Sequence, residues 1–193
     1  GNGTWNVITG SLNVNNNIAF NSTVNSISTG ANSLEWVITN GNCPASRDTI
    51  VLTGLPIPTT ANAGVDFSIC NANFNLSANT PLIGSGTWNS LTTGTTLNST
   101  IITNPTSTSF QYGNNVFEWV IANGICPDSR DTIVVSVDKL PDNSLAGIDQ
   151  TICGTISTLT ANNPSIGTGA WSIATGTATI ATGFNPVTSV TSL

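Results

Sequence analysis

Phe117 to Val135 reads F-E-W-V-I-A-N-G-I-C-P-D-S-R-D-T-I-V-V, and nearly the same words stand earlier, from Leu34 to Val51, as L-E-W-V-I-T-N-G-N-C-P-A-S-R-D-T-I-V. Over Phe117 to Val134 the two copies agree at 14 of 18 positions. In the later copy Phe117, Trp119 and Ile121 alternate with Glu118 and Val120, and Ile133, Val135 and Val137 alternate with Thr132, Val134 and Ser136. Successive side chains of a strand point to opposite faces, so each arm carries one apolar row. The N-G-I-C-P-D-S between them gathers residues that accept positive φ or fix a turn. Each copy is therefore predicted to be a β-hairpin.

The offset of 83 residues between the hairpins (Trp36 to Trp119, Cys43 to Cys126, Asp48 to Asp131) runs through the whole chain. Trp5, Trp88 and Trp171 stand in register, each behind a Gly-x-Gly: Gly1 and Gly3, Gly84 and Gly86, Gly167 and Gly169. Cys70 matches Cys153, Pro81 matches Pro164, and Ala63-Gly64-x-Asp66 matches Ala146-Gly147-x-Asp149. Self-similarity at a fixed period means tandem domains. The phase divides the chain into residues 1–56, the C-terminal part of one repeat, 61–138, a complete repeat, and 144–193, the N-terminal part of a third. The expectation is a window on a longer array.

Only 6% of residues are charged, against about 25% in an ordinary soluble protein. The polar surface must then be threonine, serine and asparagine, which favour strands and turns over helix interiors. No amphipathic helix is predicted. A formal charge of −6 with only Arg47, Arg130 and Lys139 basic excludes a nucleic-acid partner, which needs a basic surface. No apolar run approaches the roughly 18 residues of a membrane span, so no membrane insertion is expected of this segment. Cysteines placed periodically in such a chain point to an oxidising, extracellular setting.

Within the complete repeat, Ala61 to Cys70 reads as an opening strand, Phe74-x-Leu76-x-Ala78 as a second, and Gly84 to Asn89 as a third with Trp88 inward. Threonine-rich segments, Leu91 to Leu97 and Ile101 to Tyr112, lead to the hairpin. About seven short strands, turn signals at roughly ten-residue spacing and a tryptophan on the third strand predict an all-β, immunoglobulin-like sandwich. The connections Asp138 to Asn143 and Thr53 to Thr60 are short and carry proline, which makes them stiff.

These motifs carry a resemblance. A-G-x-D-x-x-I-C, L-x-A-N-x-P-x-x-G-x-G-x-W and F-E-W-V-I-x-N-G-x-C-P-x-S-R-D-T-I-V together resemble the PKD-like or Ig-like tandem repeats of giant Bacteroidota surface adhesins, including those of gliding motility. The resemblance implies export by the type IX secretion system and a structural or adhesive role in a stalk or filament on the bacterial cell surface. The partners it implies are neighbouring repeats of the same chain and other copies in a filament.

Little catalytic chemistry is on offer. The chain has no histidine, hence no Ser-His-Asp or Cys-His arrangement, and its acidic residues recur with the repeat as structural residues would: Glu35 and Glu118, Asp48 and Asp131, Asp66 and Asp149. No enzymatic activity and no cofactor are expected. Arg130 and Asp131 with Glu118 could bind a ligand, or form a cross-strand charge cluster. Asp66 and Asp149 could hold Ca²⁺ near a linker with Asp138 or Asp142, given six to eight oxygens, or simply cap turns. Trp5, Trp36, Trp88, Trp119 and Trp171 are expected as core anchors, since a carbohydrate platform would need them exposed.

Three readings of the cysteines stay open. Cys70 could bond Cys126 within the unit, leaving Cys43 and Cys153 to partners outside the chain; it could reach the hairpin cysteine of a following unit; or the thiols could be free. Asp48-Thr49-Ile50 and Asp131-Thr132-Ile133 resemble the Asp-Thr/Ser-aliphatic sequon at which Bacteroidota attach O-glycans, which makes Thr49 and Thr132 glycosylation candidates. Against the stalk stand two rivals, an array of modules binding a glycan or an abiotic surface, and ancillary repeats of a large secreted enzyme.

Overall fold

The computed structural model describes residues 2–192; Gly1, opening the first Gly-x-Gly, and Leu193 lie outside the described residues. The first five strands are β1 (Asn2–Thr9), β2 (Asn13–Val14), β3 (Val24–Asn25), β4 (Gly30–Thr39) and β5 (Ser46–Gly54). The next six are β6 (Phe67–Cys70), β7 (Ser85–Ser90), β8 (Thr96–Leu97), β9 (Ser107–Ser109), β10 (Gly113–Ala122) and β11 (Ser129–Asp138). Three more, β12 (Ile156–Thr160), β13 (Thr179–Ile180) and β14 (Val187–Thr191), complete the described residues. The fold is all-β and immunoglobulin-like.

The middle unit shows how the sequence builds it. Its main sheet has the order β6-β11-β10-β7. The β10–β11 hairpin is in register from Gly113↔Val137 to Ile121↔Ser129, so Phe117, Trp119 and Ile121 share a face with Ile133, Val135 and Val137, and all six are buried. A second layer covers that face. It consists of β8 paired with β9, a single bridge between Asn75 and Thr106, and the side chains of Phe74 and Leu76, which pack into the same core. Phe74 meets Phe117 edge-on with ring centroids 5.7 Å apart.

The opening strand departs from expectation. Only Phe67–Cys70 forms a ladder, and it runs parallel to Val135–Asp138. Residues 61–66 follow the edge of β11 through side chains instead. The Ala61 amide donates to Ser129 Oγ, the Ala63 amide to Asp131 Oδ2, and the Val134 amide to Asp66 Oδ1, each at 2.8 Å. The reason is local: Gly64 has φ +96°, a left-handed kink that an unbroken ladder could not follow. The repeated Asp66 and Asp131 thus replace backbone pairing on either side of a bend.

The first sheet, β1-β4-β5, repeats β7-β10-β11 and pairs Trp5 with Trp36 as the middle unit pairs Trp88 with Trp119. The outer edge of β5 has no partner strand among the described residues. In the third sheet the order is β12-β14-β13.

Candidate functional site

The repeated N-G-x-C-P turn is where one unit meets what precedes it. In the middle unit the turn closes with the Cys126 amide donating to Asn123 O, which aims both side chains at the linker. Asn123 Nδ2 donates to Pro56 O at 2.7 Å, and the Cys126 thiol points at the carbonyls of Pro56 and Leu55, 3.5 and 3.9 Å away. Gly124 has φ +60°, and a Cβ there would stand 2.9 Å from Leu55 Cδ1. Asparagine, glycine and cysteine each have a separate task at this contact.

The linker is tied down a second time by a polar clasp. Thr59 Oγ1 accepts the amides of Leu82 and Ile83, while the Thr59 amide donates to Ile83 O. One repeat later Asp142 replaces Thr59. Its Oδ2 accepts the Ser165 and Ile166 amides and the Ser165 hydroxyl, and these hydrogen bonds hold its carboxyl below the ordinary aspartate range.

The geometry corrects the within-unit disulfide. Cys70 stands opposite Asp138 at one end of β11, whereas Cys126 precedes the other end. Ten strand residues span about 30 Å, and a disulfide needs Cα atoms within about 7 Å. Cys70 and Cys126 therefore cannot pair inside the unit; they and Cys43 and Cys153 are free thiols here.

The charge cluster also resolves differently. Arg130 pairs with Glu118 at 2.9 Å and Asp128 at 2.8 Å, leaving Asp131 to its amide on the other face. Arg47 and Glu35 repeat the cross-strand pair at 2.7 Å. Both arginines are half exposed, and such pairs contribute a few tenths of a kcal/mol to about 1 kcal/mol. Of the two Ca²⁺ candidates, Asp66 is engaged by the Val134 amide and Asp149 is exposed. No group of three or more Asp, Glu, Cys or His residues that could hold a metal gathers among the described residues. Thr49 and Thr132 are both exposed, on β5 and β11.

Trp88 and Trp119 are in the core at 1% exposure each, while Trp5, Trp36 and Trp171 are half-buried. The spacing of the Gly-x-Gly-x-Trp motif follows from the tryptophan pair. A Cβ on Gly86 would stand 2.1 Å from the Trp119 ring, and one on Gly3 2.1 Å from the Trp36 ring. The ring occupies the space that a side chain at the glycine would need. Gly169 has nothing within 4 Å, because no hairpin lies over it among the described residues. A cleft of about 760 Å³ opens there instead, lined by Ala146, Ala161, Gly169 and Trp171. The middle-unit counterparts of these residues (Ala63, Ala78, Gly86 and Trp88) face the β10–β11 hairpin.

Sequence reasoning passed over Asn115 and Asn32. Both are fully buried. Asn115 Nδ2 donates to the carbonyls of Gln111, Gly113 and Val135, and its Oδ1 accepts the Gln111 amide. Asn32 makes the same kind of network with Ser28, Gly30, Leu52 and Ser11. The signal was present, since the two asparagines stand 83 residues apart.

No protein-family model matches the chain, and no curated protein matches it. Among solved structures it is similar to the human desmocollin-1 ectodomain, at 11% identity and a TM-score of 0.33, over 99% of this chain and 46% of that one. The chain thus spans less than half the length of that neighbour, and a likeness this distant carries no argument about function.

Proposed function

We propose that this chain is a structural and adhesive segment of a long extracellular bacterial surface protein, in which immunoglobulin-like units in series form a stalk or filament used in attachment or gliding. The observation that supports this reading is the contact between Asn123, Cys126 and the Leu55–Pro56 carbonyls. Residues that recur in every hairpin are used to fix a unit against the connection before it, which serves a spacer better than a binding pocket. The resemblance of the repeats to Bacteroidota surface adhesins, with type IX export, points the same way. Antibody raised against the chain should label intact cells of the source organism without lysis, along projections from the surface. Labelling that appears only after lysis would overturn the extracellular reading. Hits for the isolated chain on a glycan array would favour a carbohydrate-binding module instead.

A further inference from the structure

The middle unit carries one thiol at each end of its main sheet, and neither has a partner inside the unit. Cys126 precedes β11, in the turn that touches the linker behind it. Cys70 closes β6 beside Asp138, where the chain leaves the unit. Cys43 and Cys153 repeat the two positions one period away. Packing does not account for them, since Cys43, Cys70 and Cys153 are exposed and Cys126 is half-buried.

Both thiols come to one position of the repeat. Leu55 stands one period before Asp138 and is its counterpart. The Asp138 carbonyl accepts the Asn71 amide at 2.9 Å, so it points toward the segment that has just passed Cys70. The Leu55 carbonyl has the next unit's hairpin thiol, Cys126, 3.9 Å away. The same carbonyl of the repeat is therefore approached from its own unit by Cys70-Asn71 and from the following unit by the hairpin sulfur. Cys70 lies one strand spacing, about 4.8 Å, from that residue, and a disulfide needs Cα atoms within about 7 Å. Asn123 and Cys126 address backbone carbonyls of Leu55 and Pro56, and Asp138 and Lys139 offer the same groups one period later.

The bend after Cys70 keeps that thiol at the joint. Asn71 has φ +42°, a conformation that costs a residue other than glycine energy. Tyr112 Oη donates to Asn71 Oδ1 at 2.6 Å, and Lys139 Nζ lies over the Tyr112 ring, 5.3 Å from its centroid. Residues at the exit of the unit thus hold the strand end in place.

We infer that the cysteine ending β6 in one unit and the hairpin cysteine of the next form a disulfide that staples consecutive units. The inference rests on the series of units proposed above. A small-molecule disulfide such as oxidised glutathione supplies the oxidant. One cysteine thiolate attacks it and releases a glutathione; the other attacks the mixed disulfide and releases the second. Two protein thiols are oxidised to one disulfide, their protons pass to the two glutathiones, and the reagent is reduced to two thiols.

The period places the partner of Cys70 after Leu193 and that of Cys126 before Gly1, so the test uses the full chain extended in phase with its own residues. A second run of residues 111–138 after Leu193 completes the third unit, and a run of residues 61–83 before Gly1 completes the first. In a glutathione redox buffer, peptide mapping without reductant should show Cys70 joined to the added Cys126 in one chain, and the added Cys70 joined to Cys126 in the other, each within a monomer. In urea the preference should pass to the pairs nearest in sequence, Cys43–Cys70 and Cys126–Cys153, because short loops close at least entropic cost. Cys70→Ser in the first extended chain should lose the cross-link and leave the melt of the reduced protein unchanged. A folded chain whose Cys70 stays bound to glutathione, cross-links spread evenly over all pairs, or a Cys70 linked only between separate chains would each overturn the inference. Should one extension fail to complete its unit, rapid hydrogen exchange in the added segment reveals it and the other chain decides. None of these readouts depends on where the protein resides, so the staple and the surface stalk fail separately.

Discussion

Trp88 and Trp119 face each other across antiparallel β7 and β10 with ring centroids 5.1 Å apart and planes tilted by 45°, and Trp5 and Trp36 repeat the pair at 4.9 Å and 44°. The first pair is sealed by Phe74 and Leu76 above it. The second lacks that cover and is half-buried. Identical local geometry thus has different burial, because the pair is set by register within the sheet and the seal by a segment from elsewhere. Sealing has a cost: Nε1 of both Trp88 and Trp119 is buried without a partner, whereas Trp5 and Trp171 donate theirs to Ala19 O and Asn185 O.

Truncating either sealed ring should unfold the middle unit or nearly so. Trp88→Ala or Trp119→Ala is expected to remove about 3–5 kcal/mol, as for other large core truncations. Denaturant titration followed by the remaining fluorescence measures it, and a melt close to wild type would place the rings outside the core.

A methyl group discriminates between glycines of the same motif. Gly86→Ala must displace the Trp119 ring and is expected to cost about 1–3 kcal/mol. Gly169→Ala, at the matching position of the third unit with open space around it, should leave stability unchanged. Equal effects in thermal melts would contradict the close approach of ring and backbone.

Asn115→Ala should be as damaging as a core truncation although it deletes a small polar side chain. Three carbonyls and one amide lose their partner in a buried place, and each stranded group costs about 1–3 kcal/mol before water or relaxation repairs it. Hydrogen exchange at the Gln111 amide, which donates to Asn115 Oδ1, should accelerate; unaltered protection there would mean that the turn is held by other bonds.

The Asp142 clasp should respond to acid, and the Thr59 clasp should not. Hydrogen bonds from Ser165 and Ile166 lower the folded-state pKa of Asp142. Its contribution is therefore present in full above the unfolded aspartate value of about 3.9 and is lost as pH falls through the lowered folded value. Amide shifts of Ser165 and Ile166 should titrate in that acid range while those of Leu82 and Ile83 stay flat. Asp142→Asn should abolish the titration.

Modification is the remaining expectation. Thr49 and Thr132 stand exposed beside Asp48 and Asp131, and material from the source organism should carry an O-glycan on both. Intact mass with peptide mapping checks it, and bare threonines would end the idea.

The hairpins were legible because their information is local. Alternation in Phe117 to Ile121 and Ile133 to Val137 needs only the pleat of a strand to become a face, and the 83-residue echo confirms each reading with an independent copy. The Cys70 position was not legible in the same way. Whether it lies near Cys126 depends on the opening segment running parallel to β11 from Ala61 to Cys70, and two aspartates stand in for backbone along that run. Asp66 and Asp131 could as well have been surface charges. Asn115 escaped because a buried asparagine and a turn asparagine look alike until the carbonyls around it are placed.

The parallel pairing of β6 with β11 determines how the middle unit bears load. The chain comes in beside Ser129, at one end of β11, and leaves through Asp138 at the other. Pulling on the flanking connections drags β6 and β11 lengthwise in opposite directions. Every ladder bond, along with the Ala63–Asp131 and Val134–Asp66 bonds, is then strained at once rather than peeled one after another. A unit built this way resists stretching as a shear joint and, once the joint slips, pays out its contour length in a single step.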